Sequence, residues 1–353
     1  MSDGWAGGEF DFIERVRRRE LARITQDEHP SHVTRHTSLV KGIGDDAAVL
    51  RPRAGFDLVV TTDLLVEGVD FRLGGGWTSP RDLGHRALAV SLSDAAAMGA
   101  RPRFCLLSVG VPRGLWRRRF LDGFYEGVRS LAEVYGVLII GGDTSRTPGG
   151  VVVDSVVLGE VRRGRALARG GARAGDQVFV TGALGGAAAG LKILESGAVR
   201  TSRTSAGRGL VRRQRRPEPR VEWGALLSEK GLATSLIDLS DGLSSDLAHV
   251  CRESGVGARV DASLLPLDPL LARSGMDADE ALRLALDGGE DFELLFTAGP
   301  RRASRLPREV GGVPVTRVGE VTGERGKVRL VRGGKARLLR PGGFEHFGRG
   351  RNV

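Results

Sequence analysis

Five aspartates in this chain stand where local structure gives an acid little to do: Asp46, Asp63, Asp94, Asp143 and Asp238. Asp46 closes Gly42-Ile43-Gly44-Asp45-Asp46, Asp63 closes Thr61-Thr62-Asp63, and Asp143 follows a Gly-Gly pair. They are spread over both halves of the chain, with no helical or heptad repeat to account for them. Hard oxygen ligands without accompanying Cys or His select Mg²⁺, which is held by a few carboxylates together with substrate phosphates. The chemistry that follows is phosphoryl transfer, in which positioning and charge neutralisation supply most of the catalysis.

The elements that must position these acids can be read in outline. Ala47 to Arg51 and Asp57 to Thr62 are short apolar runs joined by Pro52-Arg53-Ala54-Gly55, which predicts a hairpin. Centred near Ala54, it sets position 46 opposite position 62, so that Asp46 and Asp63 share one open end on strands about 4.8 Å apart. Two carboxylates repel by roughly 4 kcal/mol at about 4 Å when the effective dielectric is about 20. A divalent cation turns that repulsion into binding. Asp45 and Asp46 also suit a plain solvated turn. Arg81 to Met98 reads as a helix of small residues ended by Gly99, with Asp94 in its last turns, where an acid opposes the helix dipole unless a cation is near. Arg103 to Val109 reads as a strand and Leu115 to Tyr135 as an amphipathic helix. Val137 to Ile140 then runs into Gly141-Gly142-Asp143-Thr144, an acid expected at a strand end where backbone can approach a ligand closely. Val151 to Val161 alternates as a further strand.

Upstream, Glu9 to Ile24 has helical spacing, and the polar stretch Gln26 to Ser38 reads as a loop whose His29, His32 and His36 are solvated. Downstream, the basic, Gly-rich stretch Arg162 to Ala174 is the expected domain boundary. Asp176 to Thr181 is a strand entering Gly182-Ala183-Leu184-Gly185-Gly186-Ala187. That spacing matches neither GxGxxG nor GxxxxGK(S/T), so a packing turn is favoured over a phosphate cradle. Ser196 to Arg216, low in apolar residues, is expected to be a surface loop. Ser235 to Ile237 forms a short strand that enters Asp238-Leu239-Ser240-Asp241-Gly242; Ser240 or Asp241 is the expected helix N-cap, and Asp238 lies outside it. Leu282 to Leu286 leads to Asp287-Gly288-Gly289-Glu290-Asp291, followed by a strand from Phe292 to Thr297. Val315 to Val321 and Val328 to Val331 read as closing strands, and Phe344 and Phe347 in the Gly-rich tail suggest that it docks.

At 353 residues and 41% hydrophobic content the chain can bury a large core, and its length favours two domains. No apolar run approaches the roughly 18 residues of a spanning helix, and Met1-Ser2-Asp3 opens no signal peptide, so a soluble protein without a membrane partner is expected. Cys105 and Cys251 have no partner at disulfide or zinc spacing, which fits a reducing cytoplasm. The net charge of +10 raises nucleic-acid binding as a reading. However, the basic residues are 48 arginines against five lysines, in clusters scattered along the chain, and no nucleic-acid-binding motif accompanies them. No nucleic-acid partner is therefore expected.

Six motifs in order carry a resemblance. They are Gly42-Ile43-Gly44-Asp45-Asp46, Thr61 to Gly68, Ser91 to Gly99, Gly141-Gly142-Asp143-Thr144, Ile237 to Gly242 and Gly288-Gly289-Glu290-Asp291. Together they resemble the thiamine-monophosphate kinase family of the aminoimidazole ribonucleotide synthetase superfamily, over about Gly8 to Phe347. The resemblance implies an α+β, two-domain fold: an N-terminal helix and loop (1–38), an ATP- and Mg²⁺-binding dimerisation domain (39–165) and a C-terminal α/β domain (166–353). It implies a homodimer whose N-terminal mixed sheets join into a barrel. It also implies direct phosphorylation of thiamine monophosphate by ATP to thiamine diphosphate, the last step of that biosynthesis, with several Mg²⁺ ions bridging the phosphates and no catalytic side-chain base. Carried over by position, metal ligands fall on Asp46, Thr61, Thr62, Asp63, Asp94, Asp143, Asp238 and Asp241. ATP contacts fall on Tyr125, Gly142, Asp143, Arg169 and Ser240. Thiamine-phosphate contacts fall on Asp70, Glu290 and Phe344, with Asp70 standing where the family motif carries His. Sister activities of the superfamily are the nearest rivals, and selenide chemistry would want a reactive Cys in an N-terminal Gly-rich loop, where this chain has none before Cys105.

Overall fold

The computed structural model describes residues 14–20, 39–41, 43, 47–197 and 204–343. Asp45, Asp46, Phe344, Phe347 and the three loop histidines lie outside the described residues, and of the expected first helix only 14–20 (α1) is described, as helix. The chain divides into two compact units, Met1–Ala95 with Arg101–Arg163, and Ala96–Ala100 with Gly164–Val353.

The first unit is built on a mixed sheet in the order β3-β6-β4-β5, formed by Phe56–Val66, Val152–Arg162, Arg101–Pro112 and Leu138–Thr147. β3 and β6 pair antiparallel in unbroken register from Phe56 opposite Arg162 to Val66 opposite Val152, whereas β4 and β5 run parallel. This pairing corrects the predicted hairpin. β2 (Val49–Leu50) pairs with β1 (Leu39–Lys41), and β3 gives its ladder to β6. A two-residue run entered through Pro52, which lacks a ladder donor, cannot compete with an eleven-residue partner. Thr62 therefore stands opposite Val156 of β6, and Asp46 lies outside the described residues.

A second correction concerns Asp143. β5 continues through Gly141-Gly142-Asp143 to Thr147, so Asp143 lies inside a strand. Gly142 has φ 145°, and a Cβ there would stand 2.0 Å from the Leu107 carbonyl oxygen. The backbone that the Gly-Gly pair admits is that of neighbouring β4. Helices α2 (Pro80–Ala97) and α3 (Arg118–Tyr135) cross in close contact. A Cβ on Gly84 would meet the Phe124 carbonyl oxygen at 1.9 Å, and one on Gly127 the Arg81 carbonyl oxygen at 1.9 Å.

The second unit holds an eight-stranded sheet in the order β14-β13-β9-β12-β7-β10-β8, with β11 beside β12. Its strands are Gln177–Thr181 (β7), Ser235–Asp238 (β8), Gly257–Asp261 (β9), Leu294–Ala298 (β10), Glu309–Val310 (β11), Val313–Thr322 (β12), Val328–Arg332 (β13) and Lys335–Leu338 (β14). Every pairing in it is antiparallel except β9 with β13. Val178, Val180, Ile237, Leu247, Val260, Leu295 and Leu330 belong to its main core. The expected surface loop at 196–216 is largely a helix, α5 (Ser205–Arg215), with 198–203 outside the described residues. Thr204 caps it by accepting the Gly207 N–H at 3.2 Å, and Ala206, Leu210, Val211 and Gln214 form a narrow buried face that the arginines between them obscure. The remaining helices are α4 (Gly186–Glu195), α6 (Val221–Lys230), α7 (Leu243–Ser254), α8 (Pro269–Arg273), α9 (Ala278–Asp287) and α10 (Pro300–Ala303). Among the described residues no helix is long and apolar enough to cross a membrane.

Candidate active site

In the first unit, the strict alternation of β3 decides which acids meet. Thr61 and Asp63 face α2, whereas Thr62 faces the opposite side of the sheet. The Thr61 hydroxyl donates to Asp94 at 2.5 Å, and the Ser91 hydroxyl lies 2.7 Å from Asp63 Oδ2. Asp94 therefore comes to the sheet from the last turns of α2, close enough that its charge acts on Asp63. Burial first, then Asp94, then Asp154 push the Asp63 carboxyl up to about 6, against the opposing Ser91 hydrogen bond. On the other face Thr62 donates to Asp154 at 2.6 Å. Asp154 stands opposite Leu64 and Ser108, and Ser108 opposite Asp143, so Asp143 lies three strands from β3, roughly 14 Å away at about 4.8 Å per strand. Asp143 is exposed, and its carboxylate accepts the Thr144 N–H at 2.8 Å.

These oxygens suit a hard cation. Asp63 and Asp94 sit close, with the Ser91 and Thr61 hydroxyls beside them, and a divalent ion would offset the repulsion between the two carboxylates. Among the described residues no three His, Cys, Asp or Glu side chains are arranged to hold a metal ion. Asp70 lies in the turn that follows β3, where its carboxylate accepts the Val66 N–H at 2.7 Å. The structure places Tyr125 in the packing of α3, its ring edge-on to Phe124 at 5.3 Å and 5.4 Å from the Arg129 guanidinium, with burial pushing the phenol pKa upward.

In the second unit, Asp238 ends β8 and is buried, and Asp241 follows it. The expected cap is corrected here. Gly242 is the N-cap of α7 without a side-chain bond, and Asp246 reaches back from the first turn to accept the Gly242 and Asp241 N–H groups at 3.0 and 3.2 Å. Burial, then the charges of Asp238 and Asp241, push the Asp246 carboxyl up to about 8. Neither Asp246 nor Asp154 stood out in the sequence. The available signals were an acid inside an alternating apolar strand for Asp154 and one in a first helical turn for Asp246.

The loop 288–292 closes over this strand end. The Glu290 N–H donates to the Ser240 carbonyl at 2.8 Å, and the Phe292 N–H to the Leu239 carbonyl at 2.9 Å. Glu290 and Phe292 hold φ of 60° and 50°, left-handed values that cost non-glycine residues on the order of 1 kcal/mol or more each. The Glu290 carboxylate accepts a hydrogen bond from the buried Gln214 amide. The tail docks nearby, with the Gly342 and Gly343 N–H groups donating to Ser244 and Ser245 at 3.1 Å each, just before Phe344 leaves the described residues. Arg169 is exposed, and its charge, after burial and Arg252, holds His249 below its ordinary pKa.

The Gly-rich turn 182–187 offers no free cradle. Gly182 and Leu184 donate to the Pro314 and Pro266 carbonyls, and Gly185 and Ala187 to the Asp291 carboxylate at 2.7 and 3.2 Å. A cavity of about 270 Å³ beside it is walled partly by the ion pairs Arg220–Glu293 and Arg213–Asp268.

The chain matches the N-terminal domain of the AIR synthase related proteins over residues 44–161 and their C-terminal domain over 173–331. It is 40% identical to the thiamine-monophosphate kinase of Escherichia coli (strain K12) over 310 residues, 87% of this chain and 91% of that protein. The chain belongs to the thiamine-monophosphate kinase family. Among solved members, the thiamine-monophosphate kinase of Stenotrophomonas maltophilia K279a superposes with a TM-score of 0.79 at 38% identity, over 94% of this chain and 98% of that one. A second, described as AaThiL complexed with AMPPCP and TMP, gives a TM-score of 0.72 at 29% identity, over 96% and 97% of the two chains. The two AIR synthase related domains fall one in each compact unit of the fold.

Proposed function

We propose that the protein transfers the γ-phosphoryl group of ATP to the phosphate of thiamine monophosphate, giving thiamine diphosphate and ADP. The observation that carries this reading is 40% identity to a thiamine-monophosphate kinase along nearly the whole chain. It is joined by two neighbouring carboxylates, Asp63 and Asp94, with the Ser91 and Thr61 hydroxyls beside them. Mg²⁺ bound there would bridge and neutralise the phosphates. Asp63, Asp94 and Thr61 are its proposed holders in the first unit, with Asp46, Thr62 and Asp143, and Asp238 and Asp241 serve in the second. Gly142, Asp143, Arg169 and Ser240 are proposed to face ATP. Glu290 and Phe344 are proposed to face thiamine monophosphate, Glu290 from a strained loop pinned to Ser240. Asp70 and Tyr125 are the weakest members of these sets, because one is engaged by the Val66 N–H and the other is packed in α3. An anionic phosphate nucleophile needs no base, so the residues bind, orient and exclude water. ATP- and Mg²⁺-binding and dimerisation are assigned to 39–165, with 166–353 as the C-terminal α/β domain, and the site of action to the cytoplasm.

The homodimer reading is supported by Leu58, Val60 and Leu64, which stand 60%, 58% and 59% exposed in a row on one face of edge strand β3. A barrel joined at β3 and at the opposite edge β5 would cover that row. The deciding experiment incubates the purified chain with thiamine monophosphate and Mg·ATP and measures thiamine diphosphate by thiochrome fluorescence after separation. Stoichiometric thiamine diphosphate and ADP are expected; turnover of another phosphate or amidine substrate with none of this product would overturn the reading.

A further inference from the structure

The contact between α2 and the first sheet contains a polar seam. Ala87, Ser91 and Asp94 are spaced by four and three residues, so one helix face presents all three to β3 and β6. The Ser155 hydroxyl, from β6, donates to the Ala87 carbonyl at 2.6 Å. The Ser91 hydroxyl lies 2.6 Å from the Ser155 hydroxyl, 3.0 Å from the Ser155 carbonyl and 2.7 Å from Asp63 Oδ2. Ser91 and Ser155 are 0% and 1% exposed, so solvent does not compete for these contacts. Each hydroxyl carries one proton. With that of Ser155 spent on Ala87, Ser91 is the donor left for Asp63.

We propose that Ser91 and Ser155 are positioning residues for the cation site. Ser155, anchored on the helix backbone, holds the Ser91 hydroxyl, and Ser91 holds the Asp63 carboxylate in one orientation beside Asp94. The two serines touch no substrate; they set the geometry of a carboxylate that does the binding. An isolated buried hydroxyl pair would serve packing alone, but here the chain of contacts ends on a carboxylate on which another proposed ligand, Asp94, exerts the largest charge effect. Outer hydrogen bonds of this kind fix ligand orientation and typically change metal affinity by about 10–100-fold when removed. The inference rests on the cation-binding role of Asp63 proposed above.

The test titrates full-length protein with Mn²⁺, reading free ion by electron paramagnetic resonance, and in parallel measures the Mg²⁺ dependence of thiamine diphosphate formation. Ser91→Ala is expected to weaken the tightest Mn²⁺ site by about 10-fold or more and to raise the KM for Mg²⁺ while leaving kcat near that of the wild type at saturating Mg²⁺. Ser155→Ala is expected to weaken Mn²⁺ in the same direction by a smaller factor, and it stands in should Ser91→Ala fold poorly. Val153→Ala, at a fully buried position two residues along β6, is expected to lower the melting temperature without changing Mn²⁺ affinity. Serine variants that behave like Val153→Ala, less stable but binding Mn²⁺ as tightly as the wild type, would overturn the positioning role. Asp63→Ala separates the two levels. If it loses the tight site while Ser91→Ala and Ser155→Ala keep it, only the positioning inference fails; if it binds like the wild type, the cation reading of Asp63 fails and takes this inference with it.

Discussion

Replacing Asp63 by asparagine should stabilise the cation-free protein at neutral pH, although it removes a proposed ligand. Burial, Asp94 and Asp154 together move the Asp63 carboxyl from its ordinary 3.8 to about 6. That displacement corresponds to about 3 kcal/mol between the two protonation states, or about 2 kcal/mol once the part of the group still in water is allowed for. The sign follows from a raised acid: its contribution is fully present below pH 3.8 and is lost as pH rises through about 6. In a chelating buffer the wild type should therefore lose stability across this window, and Asp63→Asn should not share that slope, because the amide still accepts from Ser91 and carries no charge. Added Mg²⁺ should reverse the order, since an ion present at 100 times its dissociation constant stabilises its binder by about 2.7 kcal/mol. Urea unfolding followed by circular dichroism, with and without saturating Mg²⁺ from pH 4 to 8, reads both effects. A wild type that is the more stable protein at pH 7.5 in chelator, or Mg²⁺ stabilisation equal in the two proteins, would refute the argument.

The other predictions come from separate parts of the fold. Gly127→Ala puts a methyl 1.9 Å from the Arg81 carbonyl oxygen, and should cost at least the roughly 1–3 kcal/mol of an overpacked core in a denaturant titration. Arg220→Ala leaves the Glu293 carboxylate, 3% exposed, without the guanidinium that grips it at 2.6 and 2.7 Å, and a loss of about 3–5 kcal/mol is expected by the same measurement. Val60→Glu, at a position 58% exposed within the chain, should halve the mass seen by light scattering while the melting temperature of the remaining monomer is measured separately; an unchanged mass argues against the β3 face as the dimer contact. Asp246→Asn removes a carboxyl held up at about 8, so the stability that the wild type loses as pH rises toward that value should be absent from the variant's pH profile.

Much of the fold was legible because apolar periodicity survives in it. The small-residue helix ending near Gly99, the strand of alternating residues before Arg162 and the strand entering Asp238 lie where periodicity put them. The failures share a cause: a local signal was outweighed by a partner distant in the chain. Pro52-Arg53-Ala54-Gly55 has the residues of a hairpin turn, yet β3 pairs with a strand almost a hundred residues away, which no turn chemistry reports. The helix Ser205–Arg215 was hidden because its buried face is a few small and aliphatic residues, while its exposed faces carry arginine after arginine. Gly141-Gly142 read as an opening for ligand, but the atom that would clash with a side chain at Gly142 belongs to β4.

The site was legible as a set of acids and illegible as a geometry. Thr61, Thr62 and Asp63 are consecutive on an extended strand, so their side chains cannot all point at one ion from the same face; Thr61 and Asp63 turn to α2 and Thr62 turns away. Asp143 lies three strands off, and Mg²⁺–oxygen distances are only about 2.1 Å. Within one flat sheet, Asp63 and Asp143 therefore cannot bind the same ion. Two physical solutions remain. Separate ions can be linked by the phosphates they share, as the several Mg²⁺ of the family resemblance require, or the two edges of the sheet can be brought together by a second copy of the chain. The second ties the exposed apolar row on β3 to the acids of its own face, because a sheet that closed its edges would cover Leu58, Val60 and Leu64 and bring Asp154 and Asp143 together, while Asp63 and Asp94 stay on the α2 face, where separate ions are needed.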